Sequence, residues 1–318
     1  MLDLVQANLL SPMPLAFCLG LTAAVARSDL RIPEEIQTTL SLYLLFAIGL
    51  KGGASLATAE AGTLLLPVLA VIVLGMAIPV WCFGLLRMVL RMGRIDAAAV
   101  AAHYGSTSAV TFIAATTFLA EAAIPAEGFM PALLAIFEVP AILVAIWLGR
   151  RGDGQGAAGA LMHELMAGKV TLMLVGGLLI GWLSGPPGLE KVAPFFIHPF
   201  NGALALFMIE LGRRAGSRLC DLPQAGLGLV VFAIAMPLLH GAAGIWLGQI
   251  AGLSMGGAFL MGVLAASASY IAAPAAVRLA LPEANPAFYL TTALAVTFPF
   301  NLALGLPSYL WVARTLYG

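Results

Sequence analysis

The chain has 318 residues and no formal net charge, because 15 basic side chains balance 15 acidic ones. Apolar residues make up 61% of it and charged residues only 9%, whereas a soluble domain carries roughly 25% charged residues. This composition excludes a soluble globular protein, a disordered chain and a collagen-like chain. The balanced charge also excludes a general field that would attract nucleic acid. The composition predicts an all-α polytopic membrane protein.

Long stretches without Asp, Glu, Lys or Arg separate the charges and have the length of membrane-spanning helices. The uncharged run from Leu222 to Val277 is too long for one helix, and Gly252–Gly257 within it predicts a turn. About ten spans result from this division of the chain. The predicted spans are 9–26, 36–56, 61–86, 97–119, 128–148, 169–185, 192–212, 222–247, 255–278 and 286–313.

The distribution of basic residues predicts the orientation of these spans. Only Lys51, Lys191 and Arg314 fall on one side of the membrane, and the other basic residues fall on the opposite side. Because basic residues concentrate in cytoplasmic loops, the richer side is the cytoplasm. We therefore expect an integral plasma-membrane protein, the inner membrane in a bacterium, with both termini outside. The cytoplasmic set is Arg27, Arg31, Arg87, Arg91, Arg94, Arg150, Arg151, Lys169, Arg213, Arg214, Arg218 and Arg278.

Sequence markers recur at a constant offset of 161 residues, which indicates an internal repeat. With five spans in each half, an odd number, the halves must be inverted relative to each other. We expect a first repeat over 1–150, a cytoplasmic connection over 151–168 and a second repeat over 169–318. Such inverted repeats, with substrate held near the midplane, are typical of secondary transporters. The matched markers are Gly20/Gly181, Ile48/Ile209, Leu50/Leu211, Ser106-Thr107-Ser108/Ser267-Ala268-Ser269, Pro125/Pro286 and Phe137/Phe298.

The fourth and ninth predicted spans both carry a Ser-x-Ser cluster in mid-span, next to a helix-interrupting residue. Gly105 precedes the first cluster and Pro274 follows the second. A helix broken inside the membrane exposes N–H groups at the start of its second half, where about half a positive charge is concentrated. Two such ends facing each other would bind an anion without Arg or Lys. The structural alternative is that these serines bond to their own helix and allow close packing.

Glu138 lies near the middle of the fifth predicted span. A carboxylate in the membrane is costly and marks a functional candidate. As an oxygen ligand it could hold a cation, with hydroxyl and carbonyl oxygens completing the shell. The alternative is a protonated, hydrogen-bonded structural acid.

Two further charged positions have structural interpretations. Glu210 lies near Arg213 and Arg214 at a span end, which predicts an interfacial ion pair. Lys51 is expected to extend its amine to the outer interface.

The histidines and two glycine patterns do not predict an enzyme. His103 and His240 lack metal-ligand spacing, and His103 with Ser106 lacks the third group of a hydrolase triad. The G-x-G-x-x-G pattern at 154–159 lies in a polar connection rather than after a strand, so it predicts a linker. Glycines at 244, 248, 252 and 256 predict close helix packing. The three cysteines are too far apart in sequence for a zinc site or a disulfide framework.

Six short segments resemble the sodium-dependent bicarbonate transporter family and occur in the family's order, so the resemblance covers nearly the whole chain. They are Ser28–Glu34 (SDLRIPE), Ala47–Gly53 (AIGLKGG), Phe137–Ala141 (FEVPA), Leu238–Gly241 (LLHG), Leu264–Ser269 (LAASAS) and Pro282–Pro286 (PEANP). The resemblance implies ten spans in two inverted repeats, a core domain that moves against a gate domain, and a homotrimer. It also implies inward symport of bicarbonate with sodium, the anion being held at facing ends of broken helices.

The resemblance also implies the residues of the site. The anion would lie against one group on each side, and the co-transported sodium ion would bind nearby. The anion-binding residues would be Gly105, Ser106, Thr107 and Ser108 on one side and Ser267, Ser269 and Tyr270 on the other. The sodium ligands would be Ser108, Thr111, Glu138 and Ser269.

Two features depart from the cyanobacterial members of the family. Those members have a longer cytoplasmic loop between the repeats and bind a PII-like signalling protein there, and the short connection here weighs against that partner. Tyr270 occupies a position where they have a smaller acidic residue.

The sequence therefore predicts a sodium-coupled secondary transporter that imports bicarbonate by alternating access. The alternative on the same fold is a symporter or exporter of another small organic or inorganic anion. An ion channel and a membrane enzyme remain as hypotheses from other functional classes.

Overall fold

The computed structural model describes residues 6, 8–150, 163 and 167–318, and these residues form helices without a β-strand. Most of the 151–168 connection, including the glycine pattern at 154–159, lies outside the described residues. The helices are α1 (Pro12–Val25), α2 (Glu34–Leu56), α3 (Ala61–Met88), α4 (Arg94–Gly105), α5 (Ala109–Glu121), α6 (Met130–Arg150), α7 (Lys169–Phe196), α8 (Phe200–Arg218), α9 (Leu222–Ile250), α10 (Met255–Ala266), α11 (Ala272–Ala280) and α12 (Pro286–Tyr317).

Six stretches of the described chain are helical, long and apolar enough to cross a membrane. One of them, Phe200–Ile250, contains both α8 and α9, and the shorter helices α1 and α10 are also apolar. The all-helical class is confirmed, and these stretches fit a polytopic membrane protein. The arrangement into ten spans and two inverted repeats stays a prediction.

The fourth and ninth predicted spans are each divided into two short helices. α4 ends at Gly105 and α5 begins at Ala109, while α10 ends at Ala266 and α11 begins at Ala272. The first residue of each break is extended, with φ/ψ of −88°/160° at Ser106 and −83°/157° at Ser267. The helix breaks expected from the paired serines are therefore present.

The predicted boundary between the sixth and seventh spans is wrong. The sixth span was expected to end at 185 and the seventh to begin at 192, but α7 continues to Phe196 and α8 begins at Phe200. Gly185 has a φ of 62°, a left-handed value that glycine tolerates, and bends α7 sharply. Pro186 and Pro187 follow, and proline in a first helical turn costs no hydrogen bond, so a short second segment of α7 begins there.

Two glycines allow helices from the two halves of the chain to approach closely. α1 packs along α8 and α2 packs along α7. A Cβ atom on Gly20 would lie 1.8 Å from the Ile209 carbonyl oxygen, and one on Gly181 would lie 2.2 Å from that of Leu50. Backbone-to-backbone contact of this kind is typical of membrane helices, where small residues line the interfaces.

Candidate functional site

The two helix breaks meet in the protein interior. The Ser108 backbone N–H donates to Ser267 Oγ at 2.9 Å, and the Ser269 backbone N–H donates to the His103 carbonyl at 2.8 Å. Because no water satisfies backbone groups inside a membrane, each extended segment must find partners in the protein. These two bonds join the segments into one structure, which we call the crossing (residues 106–108 and 267–271).

Ser267 Oγ holds the crossing together through three hydrogen bonds. It donates to the Leu264 carbonyl at 3.1 Å and accepts from the Ser108 N–H. It also lies 3.0 Å from Thr107 Oγ1. Since the single Ser267 proton points to Leu264, Thr107 is the donor in this third bond. Ser267 is 1% exposed and therefore acts as a buried bridge between the two halves of the crossing.

The second serine of each cluster lies at the start of the following helix. Ser108 Oγ accepts from the Thr111 N–H at 3.2 Å and caps α5, while Ser269 Oγ accepts from the Ala273 N–H at 3.2 Å in the first turn of α11. Helix N-termini carry partial positive charge and bind anions through free N–H groups. The crossing thus brings two positive helix ends into one region.

A small cavity of about 20 Å³ lies against these two helix ends. Its volume corresponds to about one water-sized sphere, which is smaller than a bicarbonate ion. Among the described residues no Arg or Lys lines it. The lining is apolar apart from Ser41, Thr107, Ser108, Glu138, Ser269 and Tyr270.

The cavity brings together only part of the predicted site. Ser108, Ser269 and Glu138, three of the expected sodium ligands, line it together, but Thr111 does not. The expected anion ligands Thr107 and Tyr270 also line it.

The remaining predicted anion ligands lie behind the cavity wall. Ser267 is the bridge described above, and Gly105 packs against the ring of Pro79, where a Cβ atom would lie 2.9 Å from the proline Cδ. Ser106 is completely buried, and its hydroxyl has no hydrogen-bond partner among the described residues. These three residues shape the crossing without reaching the cavity in this conformation.

Glu138 and Tyr270 have polar side-chain atoms that make no hydrogen bond with the described residues. Glu138 lies in α6, is 7% exposed, and makes no hydrogen bond or ion pair with the described residues. The Tyr270 hydroxyl lies near Ser108, but its geometry makes no hydrogen bond there. A buried carboxylate without a partner is costly in a membrane, so Glu138 is suited to binding a cation that enters the cavity.

Asn301 is a supporting residue that sequence reasoning missed. Its Nδ2 donates to the Ala266 carbonyl at 3.0 Å, at the C-terminus of α10, and its Oδ1 accepts from the Tyr309 hydroxyl at 2.7 Å. The only sequence signal was an amide in an uncharged span, where polar side chains commonly join helices. Ser41 was also missed, because a single serine in an apolar helix has no distinguishing pattern.

The other polar residues have structural environments. The predicted ion pair is confirmed, with Arg213 Nη2 at 2.6 Å and Arg214 Nε at 3.2 Å from Glu210. His103 donates from Nδ1 to the Ala99 carbonyl at 2.7 Å, because a carbonyl oxygen can only accept. His240 Nε2 accepts from the Trp81 indole at 2.8 Å.

The chain was compared with curated proteins and with models of protein families. A comparison with curated proteins found no match. A family model for the Na⁺-dependent bicarbonate transporter superfamily matches residues 12–314, which is nearly the whole chain. Its members are transporters rather than enzymes. The chain, with its crossed helix breaks and a carboxylate beside them, belongs to the Na⁺-dependent bicarbonate transporter superfamily.

Proposed function

We propose that this protein imports bicarbonate together with sodium by alternating access. The observation that carries the proposal is the small cavity, where two helix N-termini, the hydroxyls of Ser108 and Ser269 and the carboxylate of Glu138 meet. The helix ends and hydroxyls suit an anion, and the carboxylate suits a cation.

The lining chemistry favours coupling of the two ions. Bicarbonate is small, monovalent and rich in acceptor oxygens, so N–H and hydroxyl donors can satisfy it. No cationic side chain lines the described cavity, so a co-bound sodium ion would supply the missing positive charge. Each ion would then raise the affinity of the other by the same factor, as thermodynamic linkage requires.

Two inverted repeats over 1–150 and 169–318 are part of this proposal. The constant offset of the sequence markers supports them, as do the matching dihedral angles at Ser106 and Ser267. The exchanged packing of α1 on α8 and of α2 on α7 is a further support. A site at the interface of such repeats can face either side of the membrane in turn.

A second candidate is the transport of another small anion on the same fold. The observation that favours it is Tyr270, whose ring lines the cavity and contacts Phe298 at 5.4 Å between ring centroids. An aromatic wall is compatible with an organic anion as well as with bicarbonate.

The test is uptake of labelled bicarbonate into proteoliposomes, with an inward sodium gradient and with potassium in place of sodium. A carbonic anhydrase inhibitor and pH control prevent diffusion of carbon dioxide from resembling transport. We expect uptake only with sodium. Equal uptake with potassium would contradict the coupling. If the folded protein took up no bicarbonate in either salt, bicarbonate would be the wrong substrate and another small anion would have to be tested.

Variants connect the uptake to the site. Ser269→Ala should abolish sodium-driven uptake, because it removes a cavity hydroxyl that also accepts a hydrogen bond from the first turn of α11. Ser184→Ala removes an exposed hydroxyl that bonds only to the Ile180 carbonyl and should transport normally. Normal uptake by Ser269→Ala would contradict the site assignment.

A further inference from the structure

A second and larger cavity lies beside the crossing, and helix α2 lines both cavities with one face. This cavity has a volume of about 610 Å³. Leu44 and Leu45 line the small cavity, and Ile48, Lys51 and Ser55 line the larger one. Steps of three and four residues keep these positions on one face of a helix. We call the larger cavity the Lys51 vestibule.

Helix α5 continues from one cavity to the other in the same way. Val110 and Ile113 line the small cavity, while Phe112, Thr116 and Glu121 line the Lys51 vestibule. The two cavities therefore follow one another along the same pair of helices.

An apolar layer separates the two cavities. Ile48 and Leu45 of α2 are 5% and 2% exposed, and Phe112 and Ile113 of α5 are 0% and 1% exposed. The Lys51 vestibule is thus an approach to the crossing that ends at this apolar layer.

Three charged side chains line the described part of the vestibule, namely Lys51, Glu121 and Glu127. Lys51 is exposed, makes no ion pair with the described residues, and is the only basic residue among those that line the vestibule. Glu127 is engaged, because Ser254 donates to its Oε1 from the backbone at 2.6 Å and to its Oε2 from the hydroxyl at 3.0 Å, at the N-terminus of α10.

Glu121 belongs to the rim of the vestibule. It is the exposed last residue of α5, and it also lines a neighbouring cleft together with Asn8 and Ser11. Glu121 lies nine residues from Phe112 along α5, whereas Lys51 lies three residues from Ile48 along α2, so Lys51 is closer than Glu121 to the apolar layer.

We propose that the Lys51 vestibule is an entry site for the transported anion. The Lys51 ammonium gathers a small monovalent oxyanion above the apolar layer, before the anion reaches the crossing. The proposal rests on the proposed function and on the predicted orientation, which places Lys51 outside. Fixed charges in a cavity raise the local concentration of ions of opposite sign.

Uptake kinetics test this role. Removing one charge about 6 Å from the anion in water changes its local concentration roughly threefold. Lys51→Gln should therefore raise the KM for bicarbonate about threefold at low ionic strength, with an unchanged maximal rate, and Lys51→Arg should not. The matched control is Lys191→Gln, which removes another exposed base of the predicted outer side that does not line the vestibule.

Ionic strength supplies the second criterion. At 1 M choline gluconate and constant sodium, the screening length falls to about 3 Å, so the KM values of Lys51→Gln and the wild type should converge. A KM equal to that of Lys191→Gln at low ionic strength would overturn the proposal. The proposal would also be overturned if the substitution Glu121→Lys restored uptake to the Lys51→Glu variant. This result would show that the two side chains form an ion pair that closes the vestibule.

A labelling experiment tests the same charge without transport. Ser55→Cys places a thiol one turn from Lys51 in a chain with Cys18→Ser and Cys220→Ser, while Cys82 is buried. Purified protein is treated with methanethiosulfonates that carry either a sulfonate or a trimethylammonium group. Lys51→Gln should lower the ratio of the sulfonate rate to the trimethylammonium rate roughly tenfold. The sulfonate rate should fall about threefold and the trimethylammonium rate should rise about threefold.

This experiment separates the two proposals. A lowered ratio in protein that takes up no bicarbonate would support the entry site and contradict the proposed substrate. An unchanged ratio in protein that transports bicarbonate would overturn the entry site alone. Lys191→Gln again serves as the control and should leave the ratio unchanged.

Discussion

Ser267 and Ser269, the first and second serines of one Ser-x-Ser cluster, have different roles. Ser267 Oγ bridges the two breaks, while Ser269 Oγ lines the small cavity. In the first break the second serine, Ser108, also lines the cavity, but the first, Ser106, is buried and makes no hydrogen bond with the described residues. At the scale of a residue, therefore, the pattern predicts a site but not which hydroxyl faces the ligand.

Replacement of Ser267 by alanine should lower stability and abolish transport. The change leaves the buried Ser108 N–H and the Thr107 hydroxyl without an acceptor, at a cost of about 1–3 kcal/mol per group. Thermal unfolding in detergent measures this as a lower melting temperature. Ser217→Ala is the control, since Ser217 is exposed and bonds only to the Arg214 carbonyl. A melting temperature equal to that of the wild type would contradict the bridging role.

Replacement of Glu138 by glutamine should remove the stabilisation by sodium. A ligand that binds only the folded state stabilises it by RT ln(1 + [L]/Kd), so sodium should raise the melting temperature of the wild type more than choline does. Without the carboxylate, Glu138→Gln should show equal melting temperatures in both salts. Glu190→Gln alters an exposed acid and should retain the sodium effect. An undiminished sodium effect in Glu138→Gln would return Glu138 to a structural role.

At the scale of an element, helix interruption and helix packing have different sequence signals. The breaks after α4 and α10 follow from local residues, because Ser and Thr side chains compete with the helix for backbone partners. The bend of α7 lies at Gly185, where the sixth span was predicted to end, but the helical segment after it was missed, since two prolines after a glycine are compatible with a loop or with a new helix. The packing of α2 on α7 depends on which glycines contact the backbone of the neighbouring helix. These glycines can be identified only when the positions of both helices are known.

Two glycines of α7 give a matched test of this packing. Gly181→Ala places a methyl group 2.2 Å from the Leu50 carbonyl, so α2 and α7 must separate, at a cost of about 1–3 kcal/mol. Gly176→Ala meets no atom within 4 Å and removes a poor helix former, so it should be neutral or slightly stabilising. Thermal unfolding of the two variants compares them. Equal melting temperatures would contradict the close approach of the helices.

At the scale of the whole molecule, the predicted orientation can be tested with the chain's own cysteine. Cys220 is exposed and lies between α8 and α9, beside Arg218 of the predicted cytoplasmic side. A membrane-impermeant thiol reagent should label it only after permeabilisation of the cells. Lys191→Cys, in a chain with Cys18→Ser and Cys220→Ser, should be labelled in intact cells. The reverse pattern would invert the orientation and place the Lys51 vestibule on the cytoplasmic side.

The family and the helical membrane class could both be recognised from sequence, because composition and short motifs can be identified without knowledge of tertiary contacts. The ion pair of Glu210 was also predictable, since its partners lie three and four residues away on the same helix. The joint presence of Ser108, Ser269 and Glu138 at one cavity was an expectation from resemblance, and their proximity is seen only in the folded chain.

Composition and local sequence determined that the chain is helical, apolar and interrupted at two related serine clusters. These properties depend on interactions within a few residues and on transfer into the membrane. Only the tertiary structure decided that Ser267 bridges the breaks, that Asn301 supports the end of α10, and that Lys51 faces a vestibule. Each of these contacts joins segments that are distant along the chain, so its geometry depends on how whole helices pack.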